Sequence, residues 1–103
     1  MSKVHFIERI TNIKMLSKED NLWESHAWAL SKDTADKLIG AEVYFHKGQD
    51  KPSHFGGIVL NYRFIESGEN EGRVAITFKA ESRFKDVKTD KKGWSMEKKF
   101  EWD

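Results

Sequence analysis

LIGAEVYFHKGQDKPSHFGGIVLNYRFI, residues 38–65, sets two strand-like runs on either side of a polar loop. AEVYFH (41–46) and IVLNYRFIE (58–66) are dominated by β-branched and aromatic side chains, which suit a pleated, half-buried surface. Between them KGQDKPSHFGG (47–57) carries two of the four histidines, the only proline and a Gly-Gly step, and reads as a loop. Rigid walls around a loop rich in polar groups make this the best candidate binding region. Nothing in it specifies a reaction.

Upstream, a helix is predicted over residues 32–39. Ser31 or Asp33 can cap it, Ala35, Leu38 and Ile39 give it an apolar face, and Gly40 ends it. About two turns of helix are marginal alone, so this one must dock on a sheet. SHAWALS (25–31) before it reads as a short strand, with Ala27 and Ala29 on one face and Trp28 and Leu30 on the other. Downstream, SGENEG (67–72) supplies a turn. RVAITFKAE (73–81) returns as a hairpin arm, with Val74, Ile76 and Phe78 facing one way. FKDVKTDKKG (84–93) is a lysine-rich loop, and SMEKKFEW (95–102) closes the chain as a strand with Met96 and Phe100 on one side. Near the amino terminus Val4, Phe6 and Glu8 alternate like a strand, whereas Phe6, Ile10 and Ile13 approximate a helical stripe. A strand near residues 4–10 is favoured, followed by a surface turn at SKEDN (17–21). The fold expected is mainly β (α+β): a compact, mostly antiparallel β-barrel or strongly curved sheet of five or six strands. One short helix near residues 32–39 completes a single domain over residues 1–103.

Composition narrows the class. A chain of 103 residues buries roughly two thirds of its unfolded surface in one core. Charged residues make up 34% and aromatic residues 13%, with four tryptophans, so this is a solvated domain with core-forming rings rather than a disordered chain. The net charge of +1 means that any attraction to nucleic acid or anionic membrane must come from a local basic patch. With no cysteine, disulfides, thiolate nucleophiles and Cys-type zinc sites are excluded. MSKVHFIERI has no apolar run of signal-peptide length and no segment approaches a membrane span, so a cytoplasmic location is expected.

Over residues 24–65 a tryptophan-bearing strand (SHAWALS), a short helix ending in glycine (DTADKLIG), a strand ending in aromatics (VYFH) and a Gly-started strand (GGIVLNY) follow one another. This order resembles the PUA-like barrels, and among them the EVE and ASCH branches. Ala41 stands where many members carry an acidic residue after the helix-ending glycine. The resemblance implies a pocket between barrel strands that holds a flipped or unpaired, often modified, base. It makes Trp28, His46, Ser53 and His54 candidate pocket residues.

His46 and His54 lie eight residues apart, and a loop can fold them together. A metal would need a third ligand such as Asp50 or His26, and no HxH or HxxxH spacing is present, so no metal or cofactor is expected. The bland alternative is a strand-end histidine satisfied by backbone and a loop histidine in water. Ser53-His54 lacks the nucleophile elbow of a hydrolase; Ser53, after rigid Pro52, suits a turn or a base contact. Phe55, in the 46–57 loop that would line the pocket, is a candidate ligand contact with its neighbours Gly56 and Gly57. Gly56-Gly57 fits no phosphate-binding motif and marks a bulge or a close backbone approach, to a planar ligand or to the fold itself. Trp28 reads as core. Trp23 and Trp94 border polar loops as candidate contact aromatics.

Across residues 83–99, Arg83, Lys85, Lys88, Lys91, Lys92, Lys98 and Lys99 outnumber Asp86, Asp90 and Glu97 by seven to three, a local +4 around Trp94. Lysines beside an aromatic ring form the usual single-strand nucleic-acid platform, and Arg83, Lys85, Lys88, Lys91 and Lys92 are the candidate phosphate contacts. A plain solvated loop is the alternative. No set of residues supplies nucleophile, base and oxyanion donors together, so no catalytic residue is assigned. The function expected is a small non-enzymatic module that binds nucleic acid or a nucleotide-like ligand. The alternative is a protein-interaction module, an inhibitor or regulator anchored by Trp23 and Trp94, with Glu66, Glu69 and Glu71 as its acidic side.

Overall fold

The computed structural model describes residues 2–8 and 12–102. Its strands are β1 (Lys3–Ile7), β2 (Ile13–Ser17), β3 (Leu22–Trp28), β4 (Glu42–His46), β5 (Ser53–Phe64), β6 (Val74–Ala80) and β7 (Lys98–Glu101). They form one sheet in the order β2-β3-β6-β5-β4-β1-β7, and α1 (Lys32–Leu38) joins β3 to β4. Every neighbouring pair is antiparallel except β1 with β4.

The sheet rolls over its own concave face. Phe6 of β1 stacks on Trp28 of β3 with ring centroids 4.1 Å apart, although β6, β5 and β4 lie between them in the sheet. Register shifts in β2, β3, between Phe45 and His46, and between Val59 and Asn61 supply local bends. The roll stays open, because no ladder joins β1 or β7 to β2 or β3 among the described residues. Val4, Phe6, Val43, Phe45, Val59 and the predicted Val74, Ile76 and Phe78 fill the concave side. Helix α1 adds Ala35 and Leu38 to that core.

Ser31 caps α1, its Oγ accepting from Thr34 N–H at 3.2 Å, and Gly40 turns the chain at φ +87°. Ile39 is not on the apolar face: the helix ends at Leu38, and Ile39 is extended and 48% exposed. The first strand spans 3–7 rather than 4–10; residues 9 and 10 lie outside the described residues, and Ile13 belongs to β2. β2 itself is an addition to the expected strands. Ser53–Gly57 is not loop but the start of β5, so the loop shortens to residues 47–52. At the other end the strand is confined to Lys98–Glu101. Met96 sits in the preceding turn at φ +57° and is 85% exposed, while Phe100 packs on the core.

Candidate functional site

Strand pleating puts His5, Tyr44, His46, Lys99 and Glu101 on the convex side, opposite the core. Residues 84–97 cover that side. Ser53 fastens the cover to β5: its Oγ donates to the Phe84 carbonyl at 2.5 Å and accepts from Val87 N–H at 3.0 Å. Its backbone exchanges two further bonds, Ser53 N–H to Val87 O and Asp86 N–H to Ser53 O. Lys99 Nζ holds the other end, donating to Thr89 Oγ1 at 2.6 Å and to Asp90 O and Oδ1 at 2.9 Å each.

Beneath the cover lies a hydrogen-bonded chain. His5 Nε2 meets Glu101 Oε2 at 2.6 Å, His5 Nδ1 meets His46 Nε2 at 2.8 Å, and His46 Nδ1 meets the Lys51 carbonyl at 2.8 Å. A carbonyl only accepts, so His46 carries its proton on Nδ1. His5 also stacks on Tyr44 at 4.9 Å, and Trp94 stands edge-on to His46 at 5.6 Å and to His5 at 6.2 Å. Burial pushes His5 below its ordinary value, outweighing the Glu101 hydrogen bond, and burial does the same to His46 and His54. Tyr44 is pushed up to about 12 by burial and by its hydrogen bond to Glu42.

The 47–52 loop and the 84–97 segment form one surface, joined through Ser53 and by Gln49 Nε2 donating to Met96 O at 3.1 Å. Lys47, Lys51, Lys85, Lys88, Lys91 and Lys92 are exposed on it and make no ion pair among the described residues. Asp50, Asp86 and Glu97 are its unpaired carboxylates among the described residues, since Asp90 is taken by Lys99. Arg83 differs from the other predicted phosphate contacts. Its guanidinium lies over the Phe84 ring and pairs with Glu81 at 3.2 Å and Glu42 at 3.6 Å.

The structure thus joins the two segments singled out in the sequence, while the predicted pocket residues do not line one cavity. His46 and Ser53 are buried with their hydrogen bonds filled. Gly56 and Gly57 accommodate the fold itself: a Cβ would fall 2.2 Å from Val43 O and 2.0 Å from Lys79 O. Phe55 packs edge-on against Trp23 and Phe78. His54 is half-buried, and its Nε2, like Trp94 Nε1, has no hydrogen-bond partner among the described residues. Trp23 is half-buried at the core margin, donating to Asn21 Oδ1 at 2.9 Å. Trp28 is core, its Nε1 bonded to Ser25 Oγ.

One cleft of about 500 Å³ lies where the sheet fails to close, and sequence patterns carry no sign of it. Trp28, His26 and Ala27 of β3 meet Ile7, Glu8, Arg73, Glu69 and Glu97 there. Three carboxylates face one guanidinium, a poor setting for a phosphate. His26 is therefore at this cleft and His46 under the cover, and no group of three His, Asp or Glu side chains among the described residues is arranged to hold a metal. No helix among the described residues is long and apolar enough to cross a membrane. Comparison with protein-family models, with curated proteins and with solved structures finds no match to this chain.

Proposed function

We propose that the protein is a non-enzymatic module that binds a nucleic-acid strand along the surface formed by residues 47–52 and 84–97. The observation that carries this is the set of six exposed lysines, contributed by two loops far apart in sequence and free of ion pairs among the described residues. Free ammonium groups exchange condensed counterions for phosphates at little desolvation cost, which is the main source of sequence-independent affinity. The lysines meet phosphates rather than a base in a pocket, because His46, Ser53, Gly56 and Gly57 have no room or unused bonds to offer. The resemblance of residues 24–65 to PUA-like barrels agrees in class but adds no residue to this surface.

Tryptophan fluorescence during titration with short single- and double-stranded oligonucleotides, at low and near-physiological salt, tests the proposal. A saturable change is expected. In the Lys88→Ala/Lys91→Ala variant the plot of log affinity against log salt should flatten by about 0.7 for each phosphate of a single strand that no longer meets an ammonium group. An unchanged slope, or no binding at low salt, removes the lysine surface from consideration.

A second reading, a protein-interaction module, is favoured by one observation. β2 pairs only with β3 among the described residues, and Met15 and Leu16 on this edge strand are about half exposed. An unpaired edge with apolar side chains is a template for an added strand. Affinity capture that survives the lysine substitutions but is abolished by Leu16→Lys would select it.

A further inference from the structure

The chain Glu101–His5–His46–Lys51 ends in two acceptors, a carboxylate and a carbonyl. Its three gaps, of 2.6, 2.8 and 2.8 Å, are hydrogen bonds only if each holds one proton, so the intact chain holds three. Two neutral imidazoles supply two of them. The third lies between His5 Nε2 and Glu101. A fourth proton placed on the second imidazole, at His46 Nε2, has no gap of its own and sets two N–H groups against each other. At the His5–His46 gap water cannot relieve that clash, since the residues are 1% and 0% exposed. Glu101, whose side chain is 44% exposed, gives the chain its opening to solvent.

We propose that this chain is an acid-opened latch, closed with three protons and sprung by a fourth, that holds the 47–52 loop and the 84–97 segment in place. His46 carries Lys51 on one nitrogen and makes a T-shaped contact with Trp94, so repulsion between the two rings reaches both segments. The surroundings oppose further positive charge. Lys99 of β7 acts on both imidazoles, and its own charge is met by Asp90. From β4, Tyr44 covers His5 with its hydroxyl turned to Glu42, which also meets Arg83. From β5, His54 is electrostatically linked to His46, Lys47 and Glu8. Lys3 lies opposite Glu101 in the β1–β7 ladder. Burial, which lowers both His5 and His46, works in the same direction. As a control on ligand binding the latch rests on the lysine surface proposed above; as a property of the fold it does not.

Histidine ring nitrogen shifts and amide hydrogen exchange, recorded on the protein without nucleic acid from about pH 7 to about pH 5, test it. Near neutrality His46 should show a protonated Nδ1 and a bare Nε2. As the rings take up the extra proton, the amides of Ser53, Asp86 and Val87 should exchange about tenfold faster or more, while those of Ile76 and Phe78 stay protected. Glu101→Gln removes the carboxylate that favours charge on His5 and should move the opening to lower pH. The latch is overturned if the three amides stay protected while both rings titrate. It is overturned equally if they open only together with Ile76 and Phe78, or if Glu101→Gln leaves the midpoint in place. Selective opening of these amides with no oligonucleotide binding at any pH would uphold the latch and reject the lysine-surface function.

Discussion

Ser53 is polar and follows a proline, so by its own chemistry it suits a turn or a ligand contact. In the fold it is a fastener. Its hydroxyl bridges Phe84 O and Val87 N–H, both supplied by a segment about thirty residues away. Ser53→Ala leaves one donor and one acceptor without a partner in a buried place, and should cost about 1–3 kcal/mol. The midpoint of urea unfolding measures it, and a change within experimental scatter would show that water replaces the hydroxyl. Gly56 and Gly57 teach the same lesson. Their lack of a side chain is legible in the sequence, but the space they leave is taken by the Val43 and Lys79 carbonyls.

At the scale of elements, local chemistry is most readable where one face is buried and the other wet. Ile76, Phe78 and Ala80 alternate with the less buried Thr77 and Lys79 in β6, and Ser31 and Gly40 mark the two ends of α1. β2 is silent in the sequence because an edge strand with all five residues at least partly exposed has no buried-and-exposed alternation to detect. β1 is ambiguous for the opposite reason: four of its five residues are buried, with partners on both sides. The 84–97 segment has almost no regular structure and depends on its tethers. Lys99→Met should loosen residues 88–94 by removing the bonds to Thr89 and Asp90. Limited proteolysis should then cut within 88–94 faster than in the parent protein. Cleavage at an unchanged rate would assign the anchoring to Ser53 alone.

For the whole molecule, acidification acts on stability in one direction. His46 and His54 are lowered in the fold, so between their folded and unfolded values the unfolded chain binds more protons and stability rises with pH. Their contribution is complete above the ordinary histidine value and disappears as pH falls through the lowered ones. Glu24, lowered by its two-pronged hydrogen bond with Arg63, adds a second decline below the ordinary carboxylate value. Thermal unfolding should therefore move to lower temperature in two stages on acidification, the histidine stage first. A midpoint that rises from about pH 7 to about pH 5 would contradict the sign.

The sequence alone determined the mainly β class, the capped helix, the β5–β6 hairpin and the two segments richest in polar and basic groups, because each depends on residues close together in the chain. Tertiary structure decided which of those groups meet. His5 and His46 are 41 residues apart and His5 and Glu101 are 96 apart, and neither pair meets until β1 lies between β4 and β7. The same holds for Phe6 on Trp28, a stack made by the roll of the sheet. Strand order and curvature follow from the competition of all strands for partners, which local periodicity does not encode.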